Sequence, residues 1–182
     1  MKLYVARHGQ TEWNVNNRVC GVTDVELTAE GMEQAKTLST KIIDKQIDII
    51  VSSPLLRAKQ TARIISDRMG RDFVIDNRLS EQNYGVYEGV LRDHTDFMAA
   101  KSHFPHKMFG GESILQVAQR VYNFIDEITE NHAGKRILAI THGGICRVIH
   151  SYFCHQSNEE YYAFHMGNCE LNEFHTDQRI AK

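Results

Sequence analysis

Short apolar runs recur along the chain, and the stretches between them carry apolar residues at every third or fourth position. The runs have the length of buried strands and lie at residues 2–6, 47–51, 73–76 and 136–141. The helical spacing occurs at residues 28–45, 54–69, 114–131 and 144–154. A less regular alternation at residues 169–174 indicates an edge strand. Because strands alternate with helices of this length, we expect a three-layer α/β/α sandwich around a mainly parallel central sheet.

Polar residues at the ends of these segments sharpen the helix boundaries. Ser113 and Gln116 have the spacing of a capping box at the start of the third long helix. Ser53 and Pro54 suit the N-cap and the first position of the second helix, and Gly70 suits its end. We therefore expect the second helix to begin at residue 54.

Residues 84–112 fit neither the strand pattern nor the helix pattern. The stretch is too long for a routine connection, and it mixes glycines with apolar residues and histidines. We predict a lid or substrate-side insertion that contains a short helix and belongs to a single domain spanning residues 1–182. Its apolar side chains either line a pocket for an organic phosphate or pack the segment onto the core.

Polar residues follow all four predicted strands at the point where each strand ends. The first strand runs into Arg7-His8-Gly9, and the fourth runs into Thr141-His142-Gly143-Gly144. The second strand is followed by Arg57 in the first turn of the next helix, and the third is followed by Glu81. Since ligands bind outside the carboxyl ends of parallel strands, we expect these side chains to share one edge of the sheet.

Each of these residues also has an ordinary structural interpretation. Strand-end histidines are commonly satisfied by the backbone, and most surface arginines and glutamates are solvated or weakly paired. A cation in the first turn of a helix, such as Arg57, is unfavourable by ~0.3–1 kcal/mol when exposed. A bound anion would reverse that effect, because helix N-termini and guanidinium groups both favour phosphate oxygens. Four such residues at four strand ends therefore favour a shared phosphate site.

Composition and charge narrow the choice of partner. Hydrophobic residues make up 42% of the chain and charged residues 24%, and the formal net charge of −2 gives no basic field for nucleic acid or a membrane surface. No apolar stretch approaches the length of a membrane span. The four cysteines form no Cys-x-x-Cys pair and suit free thiols in a cytoplasmic protein. We expect a small phosphorylated metabolite as partner and leave a homo-oligomer open.

Competing chemistries lack their motifs. The sequence has no P-loop and no G-x-G-x-x-G motif, and Ser52 and Ser53 do not lie in a G-x-S-x-G elbow. The HEXXH motif is absent, and the pair His103 and His106 has no obvious third ligand for a metal. We therefore expect neither a metal nor an organic cofactor.

An ordered series of motifs resembles the histidine phosphatase superfamily, in its phosphoglycerate-mutase-like branch. The series comprises RHGQTEWN at 7–14, LTAEGMEQA at 27–35, SSPLLRAKQTA at 52–62, LSEQNYGVYEG at 79–89, GGES at 110–113 and THGG at 141–144. The Arg-His-Gly sequence alone is weakly specific, whereas the whole series spans most of the chain. The resemblance implies the three-layer α/β/α fold and phosphoryl transfer through a phosphohistidine without a metal ion.

The resemblance also implies roles for individual residues. His8 would be the nucleophile, with its other ring N–H held by a backbone carbonyl, and Glu81 would be the proton donor. Arg7, Arg57 and a protonated His142 would bind the phosphoryl oxygens. Further phosphate or substrate contacts would come from Gln10, Asn14, Gly143 and Tyr84.

Members of this family are phosphatases or mutases, and the sequence favours a phosphatase. A mutase must exclude water and hold a small carboxylate with extra cations, and in the glycolytic mutases a paired-arginine insertion follows the acid. Residues 90–112 contain only Arg92, Lys101 and Lys107 as such cations, with no Arg-Arg pair. The alternatives are a mutase and, with less support, a phospho-ligand-binding domain that has lost catalysis.

Overall fold

The computed structural model describes residues 1–176, and a five-stranded sheet runs through their centre. The strands are β1 (Lys2–Arg7), β2 (Ile49–Ser52), β3 (Phe73–Ile75), β4 (Arg136–Thr141) and β5 (Leu171–His175). Their order is β3-β2-β4-β1-β5, with every neighbouring pair parallel except β1 and β5. The predicted fold is confirmed, and the predicted edge strand is the antiparallel β5.

Seven α-helices connect the strands of the described chain. They are α1 (Glu12–Val15), α2 (Ala29–Ile42), α3 (Leu56–Met69), α4 (Thr95–Ser102), α5 (Ile114–Asn131), α6 (Gly143–Phe153) and α7 (Asn158–Ala163). The four long helices of the sequence pattern are α2, α3, α5 and α6. The single-turn α1 and the short α7 were not predicted, because neither is long enough to show a repeating apolar face.

The central strands bury a different side-chain set on each face of the sheet. On β1, Leu3 and Val5 join a core built with α5 and α6, whereas Tyr4 and Ala6 join a core built with α2 and α3. Strand β4 alternates in the same way. Side chains at successive strand positions point to opposite faces, so this alternation produces the three layers.

Helix-end signals were mostly confirmed, with one error that matters for the site. The Ser113–Gln116 capping box is present, and Gly70 ends α3 in the left-handed conformation. The prediction that Ser53 caps α3 was wrong: the helix begins at Leu56, whose N–H donates to the Asp24 carboxylate at 2.7 Å. A carboxylate from a distant loop provides this contact, which frees the Ser53 hydroxyl for another partner.

Residues 84–112 contain the predicted short helix, α4, and a small core of their own. Phe97, Ala100 and Met108 are buried there together with Val19. Phe104 and Phe109 are exposed. The apolar residues therefore divide between packing and surface positions, and the action of this segment as a lid stays a prediction. Within residues 1–176, no helix is both long enough and apolar enough to cross a membrane.

Candidate active site

The ends of β1 and β4 bring two histidines together at the carboxyl edge of the sheet. The two strands are parallel neighbours in which Arg7 pairs with Thr141, and the His8 N–H donates to the Thr141 carbonyl at 2.9 Å. The imidazoles of His8 and His142 follow directly, with their ring centroids 5.1 Å apart. The parallel pairing of β1 with β4 thus places the two histidines that follow these strands next to each other.

Two hydrogen bonds define the tautomer of His8. Its Nδ1 lies 2.7 Å from the Gly9 carbonyl oxygen, which can only accept, so Nδ1 carries the proton. Its Nε2 accepts a hydrogen bond from Arg57 Nε at 3.2 Å, which requires a lone pair on Nε2. Both contacts assign the same tautomer, in which the lone pair of the ring lies on Nε2.

Burial and neighbouring cations keep His8 neutral. Desolvation, then Arg57 and Arg7, lower the pKa of His8 well below 6.5, while the hydrogen bond to Gly9 opposes this effect. A neutral imidazole retains the lone pair that attack on phosphorus requires. The surroundings of His8 therefore suit nucleophilic chemistry.

His142 differs from the expectation of a protonated histidine. It is completely buried, and desolvation, followed by Arg57 and His8, lowers its pKa well below 6.5. Its Nε2 contacts the Ser53 hydroxyl at 2.7 Å, and the same hydroxyl oxygen accepts from the Leu55 N–H at 3.3 Å. In this state of the protein His142 is a neutral hydrogen-bonding group.

Arg57 is fully buried in the first turn of α3 and is held by backbone carbonyls. Its Nη2 donates to the Gly21 carbonyl at 2.7 Å, and its Nη1 donates to the Thr23 carbonyl at 3.0 Å. With Nε directed at His8, each terminal nitrogen still has one further N–H. The guanidinium can thus keep its carbonyl partners and also bind an anion beside His8.

Two buried nitrogen atoms near His8 have no hydrogen-bond partner within residues 1–176. They are Arg7 Nε and His142 Nδ1. Arg7 is otherwise fixed by the 2.7 Å bond from its Nη1 to the Met166 carbonyl, and burial followed by repulsion from Arg92 lowers its pKa. Arg7 Nε is a donor, and His142 Nδ1 is a donor in the tautomer whose Nε2 accepts from the Ser53 hydroxyl. Unpartnered buried polar groups are costly, so an anion that accepted a hydrogen bond from Arg7 Nε, and in that tautomer from His142, would be bound favourably. We call Arg7, His8, Arg57 and His142 the strand-end cluster.

Glu81 faces this cluster from the loop that follows β3. Its two carboxylate oxygens accept from the backbone N–H groups of Gln82 and Gly144, each at 2.9 Å. A Cβ on Gly144 would lie 2.4 Å from the carboxylate, so this position must be glycine for Glu81 to fit. The second glycine of the His-Gly-Gly sequence therefore places Glu81.

Gly9 fixes the end of β1 against its neighbouring helices. A Cβ at Gly9 would lie 2.4 Å from the Gly31 carbonyl oxygen of α2. The glycine therefore permits close packing of the strand end against α2. The Gly9 N–H donates to the Thr61 hydroxyl at 3.1 Å, which ties the same strand end to α3.

A cavity of about 120 Å³ opens beside the cluster and is rich in cations. Arg92 and Lys101 reach it from residues 84–112, and Arg147 reaches it from α6. Desolvation, followed by Arg147 and Arg92, lowers the pKa of Lys101 to about 8. We call Arg92, Lys101 and Arg147 the cationic wall. Lys107, the other cation of this segment that the sequence offered, does not line the cavity.

The structure places the remaining predicted contacts in different environments. Asn14, Tyr84 and Gly143 line the cavity. Gln10 does not line it, and its side-chain oxygen instead accepts from the Thr28 hydroxyl at 3.0 Å. The roles of these four residues in binding stay predictions.

Sequence reasoning missed several residues that build the site. Asn168 donates to both the His8 carbonyl and the Asn14 side chain, at 2.9 and 3.1 Å. Ser53 and Arg147 were also missed as neighbours of His142 and of the cavity. Only Arg147 left a signal, since it lies one helical turn beyond His142 and Gly143 on the predicted α6. Within residues 1–176, no three His, Cys, Asp or Glu side chains converge in a way that could hold a metal ion.

Comparison with known proteins places this geometry in context. The family model for the histidine phosphatase superfamily (branch 1) matches residues 3–180. Phosphoserine phosphatase 1 of Hydrogenobacter thermophilus is 28% identical over 187 residues, which cover 98% of this chain and 88% of the relative. A probable phosphoglycerate mutase of Escherichia fergusonii is 32% identical over 152 residues, which cover 79% of this chain and 70% of the relative.

A solved structure agrees with the fold along nearly the whole chain. The phosphoserine phosphatase of Entamoeba histolytica, in complex with 3-phosphoglyceric acid, superposes with a TM-score of 0.85 at 27% identity. The match covers 97% of this chain and 91% of that one.

Proposed function

The chain belongs to the histidine phosphatase superfamily (branch 1), and on this basis we propose that this enzyme hydrolyses a small organic phosphomonoester through a phosphohistidine on His8, without a metal ion. One observation carries the proposal. The two hydrogen bonds of His8 leave the lone pair on Nε2, and burial, followed by the surrounding cations, lowers the pKa of the ring and keeps it neutral.

In the first step, His8 Nε2 forms a bond to phosphorus while the bond to the ester oxygen breaks. The Glu81 carboxyl group gives its proton to the leaving alcohol. Negative charge spreads over the equatorial oxygens of the phosphoryl group, and catalysis consists mainly of positioning and neutralising that charge. Arg7 and Arg57 supply positive charge, the unpartnered Arg7 Nε supplies a hydrogen bond, and His142 supplies another from Nδ1 in the tautomer that carries its proton there.

In the second step, water attacks the phosphohistidine. Glu81, now a carboxylate, takes a proton from the water as the bond from phosphorus to Nε2 breaks. Inorganic phosphate leaves, and the neutral tautomer of His8 is restored by its bond to Gly9. Glu81 is suited to both steps because Gly144 and Gln82 hold its carboxylate at the cavity.

The cationic wall favours an acidic substrate. The phosphoryl dianion is balanced by Arg7 and Arg57, which leaves Arg92, Lys101 and Arg147 on the same cavity for a further negative group. The relatives above are named for phosphoserine and phosphoglycerate, both of which carry a carboxylate. A phosphomonoester of a small carboxylic acid therefore fits the cavity better than a neutral sugar phosphate does.

The test is release of inorganic phosphate from p-nitrophenyl phosphate and from phosphoserine at mildly acidic pH, with EDTA present. We expect turnover of both substrates and a higher kcat/KM for phosphoserine. No turnover of either would overturn the hydrolase, and turnover that EDTA abolishes would overturn metal independence.

A mutase is the second candidate, favoured by the cationic wall and by the relative named as a probable phosphoglycerate mutase. A mutase would interconvert 2- and 3-phosphoglycerate when primed with the bisphosphate. The sequence lacks the paired-arginine insertion, so we expect phosphate release to exceed interconversion.

A further inference from the structure

Glu88 lies outside the proposed catalytic groups, yet its carboxylate accepts four backbone hydrogen bonds. The donors are the N–H groups of Gly21, Val22, Thr23 and Tyr84, at 3.2, 2.9, 3.1 and 3.2 Å. A carboxylate offers about four lone-pair sites. Glu88 therefore uses its whole accepting capacity to fix the loop of residues 21–23 against residue 84.

The same loop holds Arg57 from its opposite side. The peptide group that joins Gly21 to Val22 donates its N–H to Glu88 and accepts from Arg57 Nη2 through its carbonyl. The N–H and C=O of a trans peptide point in opposite directions, so this group lies between the carboxylate and the guanidinium. Hydrogen bonds in such a chain polarise and strengthen one another.

Arg57 depends on this arrangement because it is fully buried without a direct counter-ion. Among residues 1–176, no carboxylate lies within ion-pair distance of its guanidinium, and its fixed partners are two carbonyl oxygens and His8. A buried cation needs compensation for its lost hydration. Glu88 provides negative charge one peptide group away.

Gly21 shows how closely the loop approaches Glu88. A Cβ at this position would lie 2.0 Å from Glu88 Oε1 and 2.4 Å from the Gln82 carbonyl oxygen. Any larger residue would push the loop off the carboxylate and would shift the Gly21 carbonyl that holds Arg57.

We propose that Glu88 is a positioning residue for phosphoryl binding, which acts through the peptide groups of residues 21–23 to hold Arg57 against His8. The inference rests on the proposed function only in that Arg57 binds the phosphoryl group. It makes no claim about hydrolysis or about the leaving group.

A double-mutant cycle tests the proposal with Glu88→Gln and Arg57→Ala. The Gln side chain has nearly the same shape as Glu88, but its NH₂ group would face backbone N–H groups and could not accept their hydrogen bonds. We would measure the dissociation constant of orthovanadate by calorimetry and, alongside it, kcat/KM for p-nitrophenyl phosphate. Glu88→Gln should weaken vanadate binding by ~10-fold when Arg57 is present and by less than about twofold in the Arg57→Ala background, since residues that act as one unit are not additive.

Glu112→Gln is the matched control, because the Glu112 carboxylate accepts from the Asn83 N–H at 2.9 Å and from Arg120, and accepts no hydrogen bond from residues 21–23. Its effect should be equal in both Arg57 backgrounds. Equal losses for Glu88→Gln in the two backgrounds would overturn the proposal.

If Glu88→Gln does not fold, Glu88→Asp keeps the charge and withdraws it by one methylene, and the same non-additivity is expected. Vanadate binding is measured independently of turnover. If the wild-type protein bound vanadate but hydrolysed no ester, the proposed hydrolase would be refuted, and the binding data would still test the role of Glu88.

Discussion

The strand-end cluster and the cationic wall lie around one small cavity but are supported in different ways. Arg7 and His8 line the cavity with the wall, whereas Arg57 and His142 do not line it and lie against His8. Every member of the cluster ends or follows a strand of the central sheet or lies in the first turn of α3, and a carbonyl or hydroxyl group holds each one. Two members of the wall, Arg92 and Lys101, come from residues 84–112, which pack on a separate small core. The contrast suggests a division of roles: the sheet and α3 carry the proposed chemistry, whereas residues 84–112 supply cations for the substrate and, through Glu88, support Arg57.

This division makes a general prediction about kinetics. Changes in the cluster should lower turnover of every phosphomonoester, because they alter groups that contact the phosphoryl group. Changes in the wall should raise KM for acidic substrates alone.

The largest effect is expected for His8→Ala, which removes the proposed nucleophile. Losing such a group costs on the order of 10⁴-fold or more in kcat, because the remaining groups cannot replace the covalent step. Turnover would be measured with p-nitrophenyl phosphate and phosphoserine, and labelling with radioactive phosphate would report the acid-labile, base-stable phosphohistidine. His103→Ala, at an exposed histidine, is the control and should retain both. Persistent labelling of His8→Ala would place the nucleophile on another residue.

Glu81→Gln should separate substrates by their leaving groups. An alkoxide needs a proton as it leaves, whereas p-nitrophenolate leaves readily without one. We expect kcat/KM to fall by ~10²–10³-fold for phosphoserine and by less than about tenfold for p-nitrophenyl phosphate, because kcat/KM covers only the steps up to the departure of the leaving group. Phosphate release at substrate concentrations well below KM provides the measurement. Equal losses in kcat/KM would show that Glu81 is not the proton donor.

Lys101→Met should raise KM for phosphoserine by about tenfold and leave p-nitrophenyl phosphate unchanged, since only phosphoserine carries a carboxylate. Lys107→Met is the matched control from the same segment, because Lys107 does not line the cavity. The pH profile sharpens this test. The pKa of Lys101 is about 8, so kcat/KM for phosphoserine should fall above that pH in the wild type and not in Lys101→Met. If Lys101→Met changed the kinetics of both substrates equally, Lys101 would act on the phosphoryl group and not on the carboxylate.

The smallest effect is a loss of stability in acid. Burial and nearby cations lower the pKa of His8 and of His142 in the folded state, so below pH 6.5 the unfolded chain binds protons that the folded chain does not. As the pH decreases below 6.5, the free energy of unfolding should therefore decrease by up to roughly 1.4 kcal/mol per pH unit for each histidine. Urea denaturation at pH 7.5 and pH 5.5 measures this, and His8→Ala should reduce the slope. An unchanged slope would contradict the assignment of a neutral His8.

Much of the strand-end cluster could be predicted from the sequence because its geometry follows from parallel pairing. The sequence predicted that His8 and His142 share one edge of the sheet, and the pairing of β1 with β4 in the structure places them side by side. The cap of α3 could not be predicted, since Asp24 reaches Leu56 from a distant loop and displaces Ser53 from that role. Local patterns favoured Ser53, but a tertiary contact decided the outcome.

The cationic wall could be predicted only in part. Arg92 and Lys101 stood out as cations of the 84–112 segment, but periodicity gave no information about which way an irregular segment folds. Arg147 lies on a helix face whose neighbours come from that segment and from residues 162–164, to which its guanidinium donates. Such long-range contacts are absent from any local pattern.

Helix α6 sets a limit on how this enzyme could be redesigned. His142 is its N-cap, Gly144 admits Glu81 in its first turn, and Arg147 follows one turn later. Helix α6 thus contributes to the strand-end cluster, to the position of Glu81 and to the cationic wall. Exchanging the part of residues 84–112 that carries Arg92 and Lys101, with Glu88 left in place, should alter selectivity and spare catalysis, whereas any change that tilts α6 should alter both. Selectivity can therefore be changed separately from chemistry in the part of residues 84–112 that carries Arg92 and Lys101, but not along α6.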